Sequence, residues 1–279
     1  MTATPGPLGL DPETPPSVLR RFGITTVVED LEAFVVTAQM PAGGLRNPLT
    51  GQPSVAALAV LVDDVAGRVN FYRRGDGQWT VSSELNVEMT PGAVASLMSR
   101  PDEPVVASAR PVGDGRATWL SVCSLSHCGR VIGGGTVRTM PLPGSPEAPL
   151  RRGDDPLART EQTSLADLMA VEILPVDDGT YRLRQRPDPM INNLIGIVHG
   201  GVSSAGLELV GAAAVNHQQD TPLRTASIRV NFIRPFIAGA ESLYEATALR
   251  IGRTSAIADA AAIGPDGKAA VIARVTGYR

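Results

Sequence analysis

Two stretches of the chain place apolar or small residues at nearly every position of a helical period: "SVAALAVLVDDVAGRVNFY" from Ser54 and "GGVSSAGLELVGAAAVNH" from Gly200. A helix that is apolar all round is buried on every side, so both predict long core helices. Around them the pattern changes to the alternation of strands. "ITTVVEDLEAFVVTAQM" and "LMAVEILPVDDGTYRLRQR" predict leading strands before each helix. "TVSSELNVEMTPG" and "RTASIRVNFIRPFIAG" predict strands after it, each stopped by a proline, Pro91 or Pro235.

The chain therefore repeats itself. "GRATWLSVCSLSHCGRVIGGGTVRTM" in the first half has the shape of "GRTSAIADAAAIGPDGKAAVIARVTGYR" in the second, two strands joined by a tight turn. With Gly51 set on Gly196, the core helices align as well, and Asp63 falls on Glu208. Pro and Gly thicken in "MPLPGSPEAPLRRGDDP", which predicts a linker near the midpoint. The expected layout is a loose N-terminal arm over 1–17, a first repeat over 18–140, a linker over 141–160 and a second repeat over 161–279. Each repeat is a β-α-β-β-β unit in which a curved antiparallel sheet wraps one helix. That is an α+β fold, not a doubly wound nucleotide fold.

Composition narrows the function. The 279 residues include 43% hydrophobic and 19% charged positions, as in a globular domain. The net charge of −3, without a basic stripe, argues against a nucleic-acid partner. No apolar run reaches the roughly 18–20 residues of a membrane span. The opening residues lack the basic and apolar regions of a secretory signal, and two cysteines make no disulfide framework, so a cytoplasmic setting is expected.

The chemistry concentrates on the core helices. A carboxylate sealed inside apolar surroundings is costly without a partner. Glu208 alone is explained by an arginine partner or by local contact with water. Its recurrence as Asp63 at one register of two separately written helices favours a functional position. His199, Gly200 and Gly201 stand at the start of the second helix, whose first N–H groups have no internal partner and attract an anion or a polarised carbonyl. Glycine lets a ligand approach that backbone, and Asn193 adds an amide nearby. Together these predict a carbonyl polarised by backbone N–H groups and attacked, directly or through water, by a carboxylate. No metal is required, and no Gly-x-Ser-x-Gly element supports a serine hydrolase.

Asn193-x-x-Gly196-x-x-His199-Gly200-Gly201, with Glu208 nine residues after the histidine, resembles the hot-dog-fold acyl-CoA thioesterases, in particular the phenylacetate-degradation type. The likeness is clear over about 165–279, and the first half joins it through the internal repeat. The resemblance implies a double hot-dog chain, an acyl-CoA or acyl-carrier-protein thioester as substrate, no cofactor, and further pairing into a homo-oligomer. It also implies sites between repeats, with the His-Gly-Gly helix start from one copy and the carboxylate from the other. One site would join Asn193, His199 and the Gly200 N–H, with Gly201, to Asp63. The other would join Glu208 and Thr225 to the first helix start, where Ser54, Val55 and Pro48 replace His199, Gly200 and Asn193. The Asp63 site is thus the stronger expectation and the Glu208 site the degenerate one. Arg253, with Arg229, Arg234 and Arg250, is a candidate for the coenzyme phosphates.

Two rival readings share the scaffold: a catalytically silent acyl-CoA-binding or sensor protein, and a hydratase, whose His and acid spacing is missing here. Cys123, His127 and Cys128 match no common zinc spacing and are expected at a hairpin tip. Gly133, Gly134 and Gly135 are expected to let another backbone or the central helix pack close. His217 is expected to be exposed.

Overall fold

The computed structural model describes residues 17–115, 117–143, 155–157 and 159–279. The N-terminal arm, Ser17 apart, and the stretch 144–154 of the linker lie outside them. In chain order the first repeat runs α1 (Ser17–Phe22), β1 (Thr25–Asp30), β2 (Val35–Met40), α2 (Ala57–Tyr72), β3 (Gln78–Met89), α3 (Ala93–Ser99), β4 (Val105–Val112), β5 (Trp119–His127) and β6 (Arg130–Pro143). The second runs α4 (Leu165–Met169), β7 (Val171–Ile173), β8 (Tyr181–Gln185), a 3-10 turn (Pro189–Ile191), α5 (Gly200–Val215), β9 (Arg224–Phe232), β10 (Leu243–Ile251), β11 (Ser255–Ile263) and β12 (Ala269–Tyr278).

All twelve strands form one antiparallel sheet in the order β1-β2-β4-β5-β6-β3-β9-β12-β11-β10-β8-β7. The second half of that order is the first half reversed, strand for strand, so the repeats are related by a pseudo-twofold axis through the β3–β9 pair. The two sheets expected from the sequence are thus fused into one by β3 and β9, paired from Glu84–Asn231 to Glu88–Ser227. The repeated architecture and the buried helices match the double hot-dog expectation.

Each core helix packs against the strands of its own repeat and against the other helix. Their sequences explain this. Residues Ala57 to Ala66 of α2 are all buried, as are all but Gly200 and Ala212 of α5. Helix α5 consists largely of Gly, Ala and Ser, which are small and let strands come near. The gain is close packing, which offsets the roughly 1 kcal/mol that a glycine costs a helix interior. The glycines of β6 serve the same end: a methyl at Gly135 would collide with Asn86 O and lie 3.0 Å from Val62 Cγ1. Cys128 and Gly129, both at positive φ, make the β5–β6 turn as expected of a hairpin tip, whereas Cys123 and His127, expected at the same tip, are buried in strand β5.

One expectation about the surface is corrected. His217 is half-buried, with its Nδ1 3.2 Å from the Tyr181 hydroxyl and its ring edge-to-face on that tyrosine. The strand that precedes it in the fold, β8, brings Tyr181 over the end of α5. Among the described residues no helix is long and apolar enough to cross a membrane.

Candidate functional site

The two buried carboxylates lie where α2 and α5 meet, each turned toward the start of the other repeat's helix. Helix α5 begins with His199 as its N-cap, so Gly200 and Gly201 form the first turn rather than preceding it. The Gly201 N–H donates to Asp63 Oδ2 at 2.7 Å and also lies 3.1 Å from His199 Nδ1. His199 Nδ1 is itself 3.3 Å from Asp63 Oδ2, a contact that becomes an ion pair when the imidazole is protonated. The Ser82 hydroxyl on β3 donates to Asp63 Oδ1 at 3.0 Å. Asp63 is 7% exposed, so these donors take the place of water around its charge.

The glycines have separate duties. A methyl at Gly201 would lie 2.5 Å from Val60 Cα and 2.9 Å from Ala59 O, so glycine there permits the helix crossing. A methyl at Gly200 would instead lie 2.8 Å from Asp63 Oδ2 and 3.2 Å from Phe232 Cζ, within the site. The Gly200 N–H meets no acceptor among the described residues.

The second pole is built on the same plan with other side chains. Glu208 is fully buried and accepts hydrogen bonds from Thr225 Oγ1 on β9 and from Ser54 Oγ at 3.3 Å. Thr225 stands just before the irregularity in the β9–β12 register, as Ser82 stands just before that in β3–β6. The two hydroxyl–carboxylate pairs are therefore related by the pseudo-axis. Burial pushes the Glu208 carboxyl up to about 7, against the pull of its two hydroxyl donors. The facing helix start differs, however. Ser54 Oγ takes the Ala56 N–H, and Val55 stands where Gly200 does. A cavity of about 20 Å³, room for one water, lies beside Glu208 and is lined by Asn47, Val55, Asn216 and Thr225 among others.

The remaining candidates fall outside these contacts. Asn193 Oδ1 accepts from the Ile195 and Ile197 N–H groups, at 3.1 and 3.2 Å, and so is engaged by its own loop. Arg253 stands in the exposed turn between β10 and β11. Arg229 and Arg234 are paired with Glu88 and Asp266. The sequence did not point to Ser82, nor to Asn47, whose amide donates to Leu209 O on the opposite helix at 2.8 Å. The repeat register was the signal that could have found Ser82, through its match to Thr225. Among the described residues no group of three or more His, Cys, Asp or Glu is placed to hold a metal ion.

Comparison with known proteins bears on this arrangement. Residues 195–270, which contain the His-Gly-Gly helix start, Glu208 and strands β9 to β11, match the thioesterase superfamily. The match lies within the second repeat, and it does not single out the phenylacetate-degradation type. A Pseudomonas aeruginosa protein named as an esterase is 28% identical over 123 residues, 43% of this chain and 84% of its own length. Whole-chain likeness comes from solved structures. The tesB protein of Mycobacterium avium subsp. paratuberculosis superposes with a TM-score of 0.61 at 11% identity, over 94% of this chain and 97% of that one. An acyl-CoA thioesterase II, TesB2, from Mycobacterium marinum gives 0.56 at 13% identity over the same shares. At such identities these structures show the fold. They cover the first repeat as well as the second.

Proposed function

We propose that the chain hydrolyses acyl thioesters of coenzyme A or of acyl-carrier protein, at the end of the core where Asp63 meets the start of α5. The observation that carries this reading is the 2.7 Å hydrogen bond from the Gly201 N–H to Asp63 Oδ2, which joins the acid of one repeat to the positive end of the other repeat's helix. The superfamily match over that helix start and the names of the similar proteins support thioester chemistry. In the reaction the thioester carbonyl oxygen takes the Gly200 N–H, where negative charge develops. The Asp63 carboxylate either removes a proton from water that adds to the carbonyl carbon, or adds itself to give an anhydride that water opens. In both routes the C–S bond breaks, the thiolate takes up a proton, and free acid and thiol leave.

Ser82 holds Asp63 Oδ1 and orients the carboxylate, and His199 Nδ1 stands beside Oδ2. The Glu208 end keeps the acid and a hydroxyl but has a valine in place of the glycine, and serves as the less active pole. The test is release of free thiol from short, medium and aromatic acyl-CoAs and from acyl-carrier protein. Asp63→Asn is expected to lower turnover by ~10²–10⁴, the range for losing a positioned general base, while Glu208→Gln retains it. Single turnover in ¹⁸O water places label in the Asp63 carboxylate only if it acts as nucleophile. Tight acyl-CoA binding without thiol release would replace this reading by the silent binding protein.

A further inference from the structure

Away from the carboxylates, the most deeply buried charged cluster joins the two repeats and the end of the linker. Arg21, near the end of α1, is 3% exposed. Its guanidinium donates to both oxygens of Asp155, with Nε to Oδ2 at 2.7 Å, and to Asp188 Oδ2. A buried arginine held by two carboxylates is costly to desolvate, and apolar replacements of such clusters are often no less stable. The pseudo-axis shows that the fold itself does not ask for it. α1 is followed by Gly23 at φ +65° and α4 by Ala170 at φ +52°, so Arg21 corresponds to Leu168, fully buried and apolar.

The cluster occurs at one pole only, and its second carboxylate leads to the helix start. Asp188 Oδ1 caps the 3-10 turn by accepting the Met190 N–H at 2.8 Å. The last residue of that turn, Ile191, accepts the His199 N–H through its carbonyl at 2.9 Å. The next residue, Asn192, forms a bridge with Val198. The N-cap of α5 thus hangs on the 3-10 turn, and the turn hangs on Asp188 and Arg21.

We infer that Arg21 is a positioning residue, holding the Asp188–Ile191 turn so that the His199 N-cap and the Gly200 and Gly201 amides keep their places beside Asp63. This rests on the thioesterase reading for its catalytic consequence, but its structural part can be tested without it. Asp155 ties the same arginine to the end of the linker and lies outside the path to His199. The two carboxylates can therefore be separated.

The experiment compares Arg21→Leu, Asp188→Asn and Asp155→Asn by kinetics and by hydrogen exchange. Arg21→Leu and Asp188→Asn are expected to lower kcat about tenfold to a hundredfold with little change in KM, as misplacement of a reacting group does. They are also expected to speed exchange in the segment 191–201 and not in the corresponding segment 46–56 of the first repeat. Asp155→Asn should leave both readouts near wild type, and the double variant Arg21→Leu with Asp188→Asn should lose no more than either single. Unchanged exchange in 191–201, or exchange accelerated equally in both segments, would overturn the inference. If Arg21→Leu does not fold, Asp188→Asn decides alone. A wild-type protein without thiol release would defeat the thioesterase reading, and the exchange comparison would still decide the role of Arg21.

Discussion

The Asp63 carboxylate accepts the amide proton of Gly201, so an acid written in the first repeat caps the core helix of the second. The two glycines at that contact make a separable prediction. Gly201→Ala drives a methyl against the Val60 backbone and must part the helices. It is expected to cost about 1–3 kcal/mol of stability, as overpacking does. Gly200→Ala meets only the movable ends of Asp63 and Phe232. It is expected to leave the melting temperature nearly unchanged and to lower kcat by about a hundredfold through displacement of the carboxylate. Thermal melts and thiol-release assays on the two variants check this. Equal losses of stability would show that both glycines serve packing alone.

Ser82 and Thr225 permit a second contrast. Each donates to a buried carboxylate, and the two are equivalent under the pseudo-axis. Removing a hydrogen bond to a charged group costs about 1.5–3 kcal/mol. With Asp63 at the active pole, Ser82→Ala is expected to reduce kcat by about tenfold to a hundredfold, on that energy scale. Thr225→Ala should act mainly on stability. A larger kinetic loss in Thr225→Ala would move the chemistry to the Glu208 end.

The two cysteines should differ in reactivity by environment alone. Cys128 is exposed at the β5–β6 turn, whereas Cys123 is buried and its thiol is pushed up to about 12 by burial. Iodoacetamide at pH 8 is expected to modify Cys128 in the native protein and Cys123 only after unfolding. Mass spectrometry of the labelled peptides reads this directly. Prompt labelling of Cys123 would mean that the face of β5 toward α2 opens in solution.

How much of this was legible in the sequence depends on what each signal reports. Periodicity reports which faces are buried, and so the core helices, the strands around them and the repeat were readable. The pairing of Asp63 with Glu208 followed from the register of the repeat. What periodicity does not report is which polar group reaches across the core. Ser54 meets Glu208 from 154 positions away, and Arg21 meets Asp188 from 167. No local spacing carries either contact. Asn193 adds a local contact that periodicity also leaves out: its Oδ1 accepts the backbone N–H groups two and four residues on, as short polar side chains do. Helix α3 is not legible because seven residues after a proline-glycine turn give too short a pattern to stand out.

Glu208 yields a prediction about pH whose direction follows from its burial. In the unfolded chain its carboxyl titrates near 4.5, and in the fold it is raised to about 7. The folded protein therefore holds this proton where the unfolded chain has released it. Stability from this source is complete below the unfolded value, falls as pH climbs between the two, and is lost above the folded one. Gln at this position stays neutral throughout and keeps the hydroxyl of Thr225 supplied with an acceptor. The stability of Glu208→Gln relative to wild type should accordingly rise between pH 4.5 and 8, by up to roughly 3 kcal/mol at 1.36 kcal/mol per pKa unit. Denaturant titrations at pH 5 and pH 8 measure the difference. If the two proteins lose or gain stability in parallel across that interval, Glu208 is already ionised at low pH. The cavity beside it would then have to admit enough water to solvate the charge.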